Sequence, residues 1–179
     1  KLTALILLTS LLLTGCGSSA EDGKPMAQND TEIELTTDYI TEDVLITNYD
    51  DALVRLKNGN ARFVNDQSEL INVTSERRNQ LLDGQKPYAV IVSCSDSRAT
   101  PTTIFDAGLG EIFDIRIAGN VVDSDALGSI EYAVEHLHSP LIVVMGHEKC
   151  GAVTAAYDKV KNGTAVEGNL NSIVDKIQP

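Results

Sequence analysis

Three side chains that can bind a soft metal ion occur in two short motifs that are far apart in the sequence. Cys94 lies in the stretch CSDSR, and His147 and Cys150 lie in the stretch HEKC. Two thiolates and one imidazole suit zinc better than the hard cations, and a catalytic zinc ion keeps three protein ligands and an open position for water. We therefore predict a three-ligand zinc site, in which the i, i+3 spacing lets His147 and Cys150 face one centre.

Other roles for these residues stay open on the sequence alone. Cys94 and Cys150 can form a disulfide if the chain is exported, because disulfides persist outside the cytoplasm. An isolated cysteine is also a common small residue of protein cores. His136 and His138 are possible fourth ligands, but they belong to the end of an amphipathic helix and are interpreted as surface or packing histidines.

An acidic and a basic residue follow Cys94 closely and can complete its chemistry. Zinc bound by two thiolates carries no net charge, so a water molecule on it is less acidic than at a three-histidine site, where its pKa is about 7. Arg98 can hold the Asp96 carboxylate by two parallel hydrogen bonds, and Asp96 would then accept a hydrogen bond from that water. Alternatively, Asp96 takes the fourth zinc position itself.

Gly151, at the start of a helix, leaves backbone N–H groups open to a small anion.

Three apolar runs predict the strands that position these residues. YAVIVS (Tyr88–Ser93) leads into Cys94, LIVVMG (Leu141–Gly146) leads into His147, and EIFDIRIAGN (Glu111–Asn120) lies between them. The first and third runs are continuously apolar, which is typical of strands buried on both faces of a parallel sheet. Strands that alternate with helical stretches predict an α/β fold, a mostly parallel β-sheet flanked by helices. Because ligand sites in such sheets form beyond the carboxyl ends of the strands, the two motifs can converge at one edge.

Several other stretches have the apolar spacing of helices. A helix that begins near Asn48 is expected to break at Asn58-Gly59. The stretch GSIEYAVEHLHSP is expected to begin with Ser129 as its cap. The helix that follows HEKC is expected to stop at Gly163. Its apolar stripe consists of Val153, Ala156, Tyr157 and Val160.

Residues 1–15 are predicted to be the signal peptide of a lipoprotein. The apolar run Leu2–Leu13 is too short to span a bilayer but suits a signal peptide. The stretch LTGC resembles the lipobox of bacterial lipoproteins, which implies cleavage before Cys16 and lipid on its sulfur and amine. Residues 16–47 then form a polar tether and N-terminal arm, and residues 48–179 form the folded domain. We expect an exported protein, anchored by lipid to a bacterial membrane on the periplasmic or extracellular face.

Composition and charge exclude some classes of protein. Apolar residues make up 42% of the 179-residue chain, which is enough for a packed core. The net charge of −12 argues against nucleic acid as a partner, because phosphate backbones are bound by clustered Lys and Arg. The charge indicates little else beyond solubility.

Taken together, the motifs resemble those of the β-class carbonic anhydrases. The resemblance rests on CSDSR, on the later GHEKCGAV, and on the intervening IFDAGLGEIFDIRIAGNVV and GSIEYAVEHL, and it extends from about residue 50 to the end of the chain. It implies one zinc ion per subunit, with Cys94, His147 and Cys150 as its ligands. It also implies that Asp96 and Arg98 are the catalytic pair.

The resemblance further implies an activity and partners. The expected reaction is the reversible hydration of carbon dioxide to bicarbonate and a proton, in a homodimer or larger homo-oligomer. Gly108 stands where plant-type members carry a substrate-contacting glutamine. Family members usually continue for several tens of residues beyond IVDKIQP, so we expect the domain to be truncated at its C-terminus. The rival hypotheses are a carbon disulfide hydrolase of the same fold and a non-catalytic zinc-binding lipoprotein.

Overall fold

The computed structural model describes residues 45–69 and 72–178. The predicted signal peptide, the predicted lipidation site Cys16 and nearly all of the predicted tether lie outside these ranges, so they stay predictions. Within the described ranges, no helix combines the length and the apolar character needed to cross a membrane.

The centre of the fold is a parallel sheet. Its strands are β1 (Ala89–Ser93), β2 (Ile112–Arg116) and β3 (Ile142–Met145). Both pairings are parallel, in the order β2-β1-β3, and Ser93 at the end of β1 is in register with Arg116 and Met145. The predicted α/β class, a mostly parallel sheet flanked by helices, is confirmed. The shared register places the carboxyl ends of all these strands at one edge of the sheet.

The second strand is shorter than predicted. It ends at Arg116, and Ala118–Asn120 form a single 3-10 turn instead of more strand. Gly119 and Asn120 have φ values of 67° and 56°, in the left-handed region that strands do not use and that glycine and asparagine tolerate best. This turn lies at the same sheet edge as the predicted metal ligands.

The third strand corrects a second prediction, that it is buried on both faces. The side chains of Ile142 and Val144 are 46% and 70% exposed, whereas Val143 and Met145 pack against the core beside β1. The strand lies at the edge of the described sheet, next to β1 on one side only. A continuous apolar run predicted a strand correctly but could not show whether both of its faces are covered.

Helices pack on both faces of the sheet. They are α1 (Tyr49–Val64), α2 (Ser75–Gln80), α3 (Pro101–Ile104), α4 (Ser124–Glu135), α5 (Gly151–Asn162) and α6 (Leu170–Ile177). Ile91 of β1 packs in a cluster with Leu56 of α1, and Val92 packs on the opposite face with Ala133 of α4. Because every side chain of β1 is buried, this strand is the fixed reference to which the site is attached.

The first helix does not break at Asn58-Gly59 as predicted. It runs unbroken through Gly59, which is buried. A Cβ atom at this position would overlap the backbone carbonyl of Phe105, which follows α3. Gly59 therefore serves the close approach of two segments rather than a helix end.

The fourth helix begins six residues earlier than predicted. Its cap is Asp123, whose Oδ1 accepts a hydrogen bond from the backbone N–H of Ala126 at 3.1 Å. Ser129 lies inside the helix, and its hydroxyl donates to the carbonyl of Asp125 at 2.9 Å. Asp and Ser are both good caps, and only the backbone conformation decides between them.

The fifth helix begins and ends as predicted but buries a narrower face. Gly163 ends it in the left-handed conformation, with φ 66°. Ala152 and Ala156 are its buried residues. The other members of the predicted stripe, Val153, Tyr157 and Val160, are exposed in this chain. Small residues let α5 approach its neighbours closely, so its larger apolar side chains point outwards.

Candidate metal centre

The three predicted metal ligands meet at the carboxyl edge of the sheet. Cys94 follows β1 directly, His147 lies just after β3, and Cys150 precedes the first residue of α5. One donor atom from each lies within 4.8 Å of the other two, and the two Sγ atoms are 3.9 Å apart. Residues more than fifty positions apart in sequence are thus brought together by two adjacent parallel strands.

The imidazole of His147 is oriented as a metal ligand requires. Its Nδ1 is 2.9 Å from the carbonyl oxygen of Glu148, so in the neutral tautomer Nδ1–H donates to that oxygen. Its Nε2 is buried and has no hydrogen-bond partner among the described residues. A backbone carbonyl that fixes one ring nitrogen, leaving the other free to ligate, is the usual outer support of a metal-binding histidine.

The environment of Cys94 favours the thiolate that a metal ion needs. Burial raises the pKa of this thiol, but the hydrogen bond from the backbone N–H of Gly119 and the nearby His147 ring and Asp96 backbone outweigh this effect. The pKa is lowered from 9.0 to about 7. The backbone N–H of Gly119 donates to the Cys94 sulfur at 3.3 Å. Cys94 and Cys150 are both free thiols, so the disulfide alternative is not the state of this structure.

Asp96 and Arg98 form the two-pronged ion pair that their spacing allows. Oδ1 of Asp96 accepts hydrogen bonds from Nε and from the backbone N–H of Arg98, both at 2.9 Å, and Oδ2 accepts from Nη2 at 2.8 Å. The Arg98 guanidinium is the main reason why the pKa of Asp96 lies well below its usual range. Oδ2 is also 3.9 Å from Nε2 of His147. Among the described residues, Asp96 lies beside the three donors rather than within their group.

The remaining sequence candidates lie apart from this group or contribute only backbone. His136 stacks against Tyr132, with ring centroids 5.3 Å apart, and neither His136 nor His138 belongs to the donor group found in the described ranges. Gly151 is the first residue of α5, as predicted. The backbone N–H of Gly108 donates to the Glu111 carboxylate at 2.8 Å. This N–H group is therefore already used in a hydrogen bond within the fold.

Sequence reasoning missed the residues that support this centre from β2 and from the turn that follows it. Arg116 donates from Nε to the carbonyl of Cys94 at 3.2 Å and from Nη2 to the carbonyl of Asp96 at 2.7 Å. Asn120 donates from its side-chain amide to the carbonyl of Met145 at 2.6 Å. The Gly-Asn dipeptide after a β-run is a turn signal that could have revealed the turn. Nothing in the sequence pattern indicates its contacts.

Comparison with known proteins agrees with this geometry. The family model described as carbonic anhydrase matches residues 89–179. Carbonic anhydrase 2 of Mycobacterium tuberculosis is 48% identical over 124 residues, which are 69% of this chain and 60% of that protein. The carbonic anhydrase of Mycolicibacterium smegmatis is 47% identical over the same lengths. The chain belongs to the carbonic anhydrase family, and it spans about 60% of the length of these relatives.

Solved structures place the fold in the β-class. A β-carbonic anhydrase of Aspergillus fumigatus matches with a TM-score of 0.50 and 32% identity, covering 70% of this chain and 56% of that one. The Coccomyxa β-carbonic anhydrase matches with a TM-score of 0.50 and 27% identity, covering 69% and 54%. The buried unpartnered Nε2 and the two close thiols fit zinc, the metal of this family.

Proposed function

We propose that the protein catalyses the reversible hydration of carbon dioxide to bicarbonate and a proton, with one zinc ion per subunit. The observation that carries this proposal is the convergence of Cys94, His147 and Cys150 beside the Asp96–Arg98 ion pair. The similarity to named carbonic anhydrases supports the same reaction. This arrangement suits a reaction in which water attacks a small uncharged molecule. It combines two thiolates, an imidazole and a carboxylate that is fixed by an arginine.

Each part of the site has a chemical role in this proposal. Zinc, if held by Cys94, His147 and Cys150, would supply a Lewis acid that lowers the pKa of a water molecule and so makes it a better nucleophile. Asp96 stays ionised because of Arg98, so its carboxylate acts as a hydrogen-bond acceptor over the whole working pH range. Both of its oxygens are held by Arg98, which fixes the direction of its remaining lone pairs. Asp96 can therefore orient a reacting water but is too weak a base to remove its proton at neutral pH.

One wall of the site is apolar. Ala118 and, from α6, Ile173 and Ile177 pack against the cluster of Cys94, Cys150 and Ala152. Such a wall excludes bulk water and strengthens the electrostatic interactions beside it. It also suits a substrate that carries no charge and no hydrogen-bond donor.

The test is a measurement of zinc content and of carbon dioxide hydration on the purified protein. We expect one zinc per chain and hydration well above background in a stopped-flow indicator assay at alkaline pH. Carbon disulfide turnover is measured in parallel, since a preference for it would replace the proposed substrate. Zinc-loaded protein without hydration in either assay would support the non-catalytic alternative.

We also propose that residues 1–15 are a lipoprotein signal peptide and that Cys16 carries lipid. The stretch LTGC after an apolar run supports this proposal. The mature protein would then be anchored to a bacterial membrane, on the periplasmic or extracellular face. Expression with a labelled fatty acid tests it: label should enter the wild-type chain and be absent from Cys16→Ser. Equal labelling of both would contradict it.

A homo-oligomer is the proposed assembly. A chain from the crystal structures of two tetrameric β-carbonic anhydrases of Sordaria macrospora matches this chain with a TM-score of 0.50 and 29% identity. Exposed apolar side chains of β3 and α5, such as Val144 and Tyr157, are available for contacts between subunits. Light scattering after size-exclusion chromatography should give at least twice the mass of one chain, and the mass of a single chain at micromolar concentration would refute the proposal.

A further inference from the structure

The turn after β2 contributes no metal ligand, yet it contacts both of the segments that do. The backbone N–H of Gly119 donates to the Cys94 sulfur at 3.3 Å. The side-chain amide of the next residue, Asn120, donates to the carbonyl of Met145 at 2.6 Å. Met145 is the last residue of β3 and lies two positions before His147. Two consecutive residues thus join the Cys94 segment to the His147–Cys150 segment.

The sheet itself does not set the separation of these segments. The paired register of β1 with β3 ends at Ser93 and Met145, one residue before Cys94 and two before His147. The metal ligands therefore lie just beyond the last pair of the ladder. The Asn120 amide binds the carbonyl at the point where the ladder stops, which is where an additional connection has the greatest effect on the ligand positions.

Hydrogen bonds and close packing hold the turn in place. The backbone N–H of Asn120 donates to the carbonyl of Ile117 at 2.9 Å, which closes the turn. Gly119 is packed so closely that a Cβ atom would overlap Cδ1 of Ile177 in α6. Before the turn, the backbone N–H of Ile117 donates to the carbonyl of Ser93 at 3.1 Å and so ties the turn to the end of β1. The turn is therefore held on the side of Cys94, and Asn120 extends that support to the side of His147.

We propose that Asn120 is a positioning residue of the metal site, which sets the distance between Cys94 and the His147–Cys150 pair through its hydrogen bond to Met145. The inference rests on the proposed function only in taking these three residues as a zinc site. Outer hydrogen-bond partners of metal ligands typically change metal affinity by about 10–100-fold when removed. We expect an effect of that size although the carbonyl that Asn120 binds belongs to Met145, two positions before His147, and not to a ligand.

The test compares Asn120→Gly with a matched control, Asn72→Gly. Both asparagines have a left-handed backbone, with φ of 56° and 57°, so glycine adds no backbone strain at either position. The Asn72 amide also makes a side-chain hydrogen bond, to Glu111 Oε1 at 2.7 Å, but outside the metal site. Zinc affinity is measured by competition with a chelator, and ligand geometry by the visible spectrum of the cobalt-substituted protein.

We expect Asn120→Gly to bind zinc about 10–100-fold more weakly than the wild type and to show an altered cobalt spectrum. Asn72→Gly should lose thermal stability in the metal-free form but keep wild-type zinc affinity and spectrum. Asn120→Asp is a second variant that retains the size and the left-handed tolerance of asparagine but has no donor. Asn120→Asp should weaken zinc binding at least as much as Asn120→Gly. It keeps the inference testable if the glycine variant does not fold.

Two outcomes would overturn the inference: wild-type zinc affinity in the Asn120 variants, or an equal loss of affinity in the Asn72 control. The measurement does not use carbon dioxide hydration. A protein that binds zinc tightly, loses that affinity in the Asn120 variants and hydrates nothing would contradict the proposed function alone.

Discussion

The two halves of the candidate metal site are supported very differently. Cys94 follows the central strand, whose side chains are all buried and which is paired on both sides. His147 follows the edge strand, which has Ile142 and Val144 exposed and is paired on one side of the described sheet. The Cys94 half is therefore held by the core, whereas the His147 half depends on individual tertiary contacts such as the Asn120 hydrogen bond. The distances between the ligands of a site built across two strands therefore depend on the strand that has less support.

The largest effect should come from removing a ligand in either half. Cys94→Ser and His147→Ala each leave two donors, which is too few for a stable zinc site. We expect zinc affinity to fall more than about 100-fold in both, beyond the range of an outer partner. Metal analysis of the purified variants after dialysis measures this. Full zinc content in either variant would remove that residue from the ligand set.

Asp96→Asn should separate chemistry from metal binding. The substitution keeps the shape of the side chain but removes its charge and weakens its pairing with Arg98. We expect zinc to be retained and hydration to fall about 100-fold, the cost of misplacing a reacting group. Zinc content and stopped-flow hydration are measured on the same sample. If zinc is lost as well, Asp96 acts as a ligand and not as an orienting acceptor.

Gly119→Ala tests the support shared by both halves. Its new methyl group would overlap Ile177, and its φ of 67° is unfavourable for alanine, so we expect a loss of about 1–3 kcal/mol in the free energy of unfolding. Gly128→Ala in α4 is the matched control, because nothing lies within 4 Å of the added Cβ atom. It should stabilise the protein by about 0.5–1 kcal/mol. Urea unfolding of the metal-free proteins measures both, and equal effects would contradict the packing at Gly119.

The smallest effect is expected at Asp114, on the far strand β2. Burial raises the pKa of this carboxyl from 3.8 to about 6, so the folded state favours its protonated form. The wild-type protein should therefore lose stability as the pH rises from about 4 through about 6. Because the side chain of Asp114 is exposed to solvent, which screens its charge, the change should be below about 1 kcal/mol.

Asp114→Asn should remove the loss of stability between pH 4 and pH 6 that Asp114 causes. It should leave the zinc affinity of the site unchanged. Thermal unfolding at pH 4, 5, 6 and 7 provides the measurement. An unchanged pH profile in the variant would assign the dependence to other groups.

The fold class could be predicted because apolar runs of strand length alternate with helical spacing, as at Tyr88–Ser93 and in the helix after Cys150. The errors share a cause. Whether the face of β3 is covered, whether Gly59 interrupts α1, and which residue caps α4 all depend on neighbours that the local pattern does not contain. The pattern shows what a segment can form, and packing decides where it stops.

For the site, residue chemistry and spacing by themselves determined the candidates: two cysteines and a histidine after two apolar runs, and an aspartate with an arginine two residues on. Only the tertiary structure decided that Gly119 donates to the Cys94 sulfur and that Asn120 binds the carbonyl of Met145. The physical reason is that ligands are recognised by the kind of atom they carry, which the sequence states. The residues that position the ligands act through the direction and distance of hydrogen bonds between distant segments. These hydrogen bonds exist only once β1, β2 and β3 lie side by side.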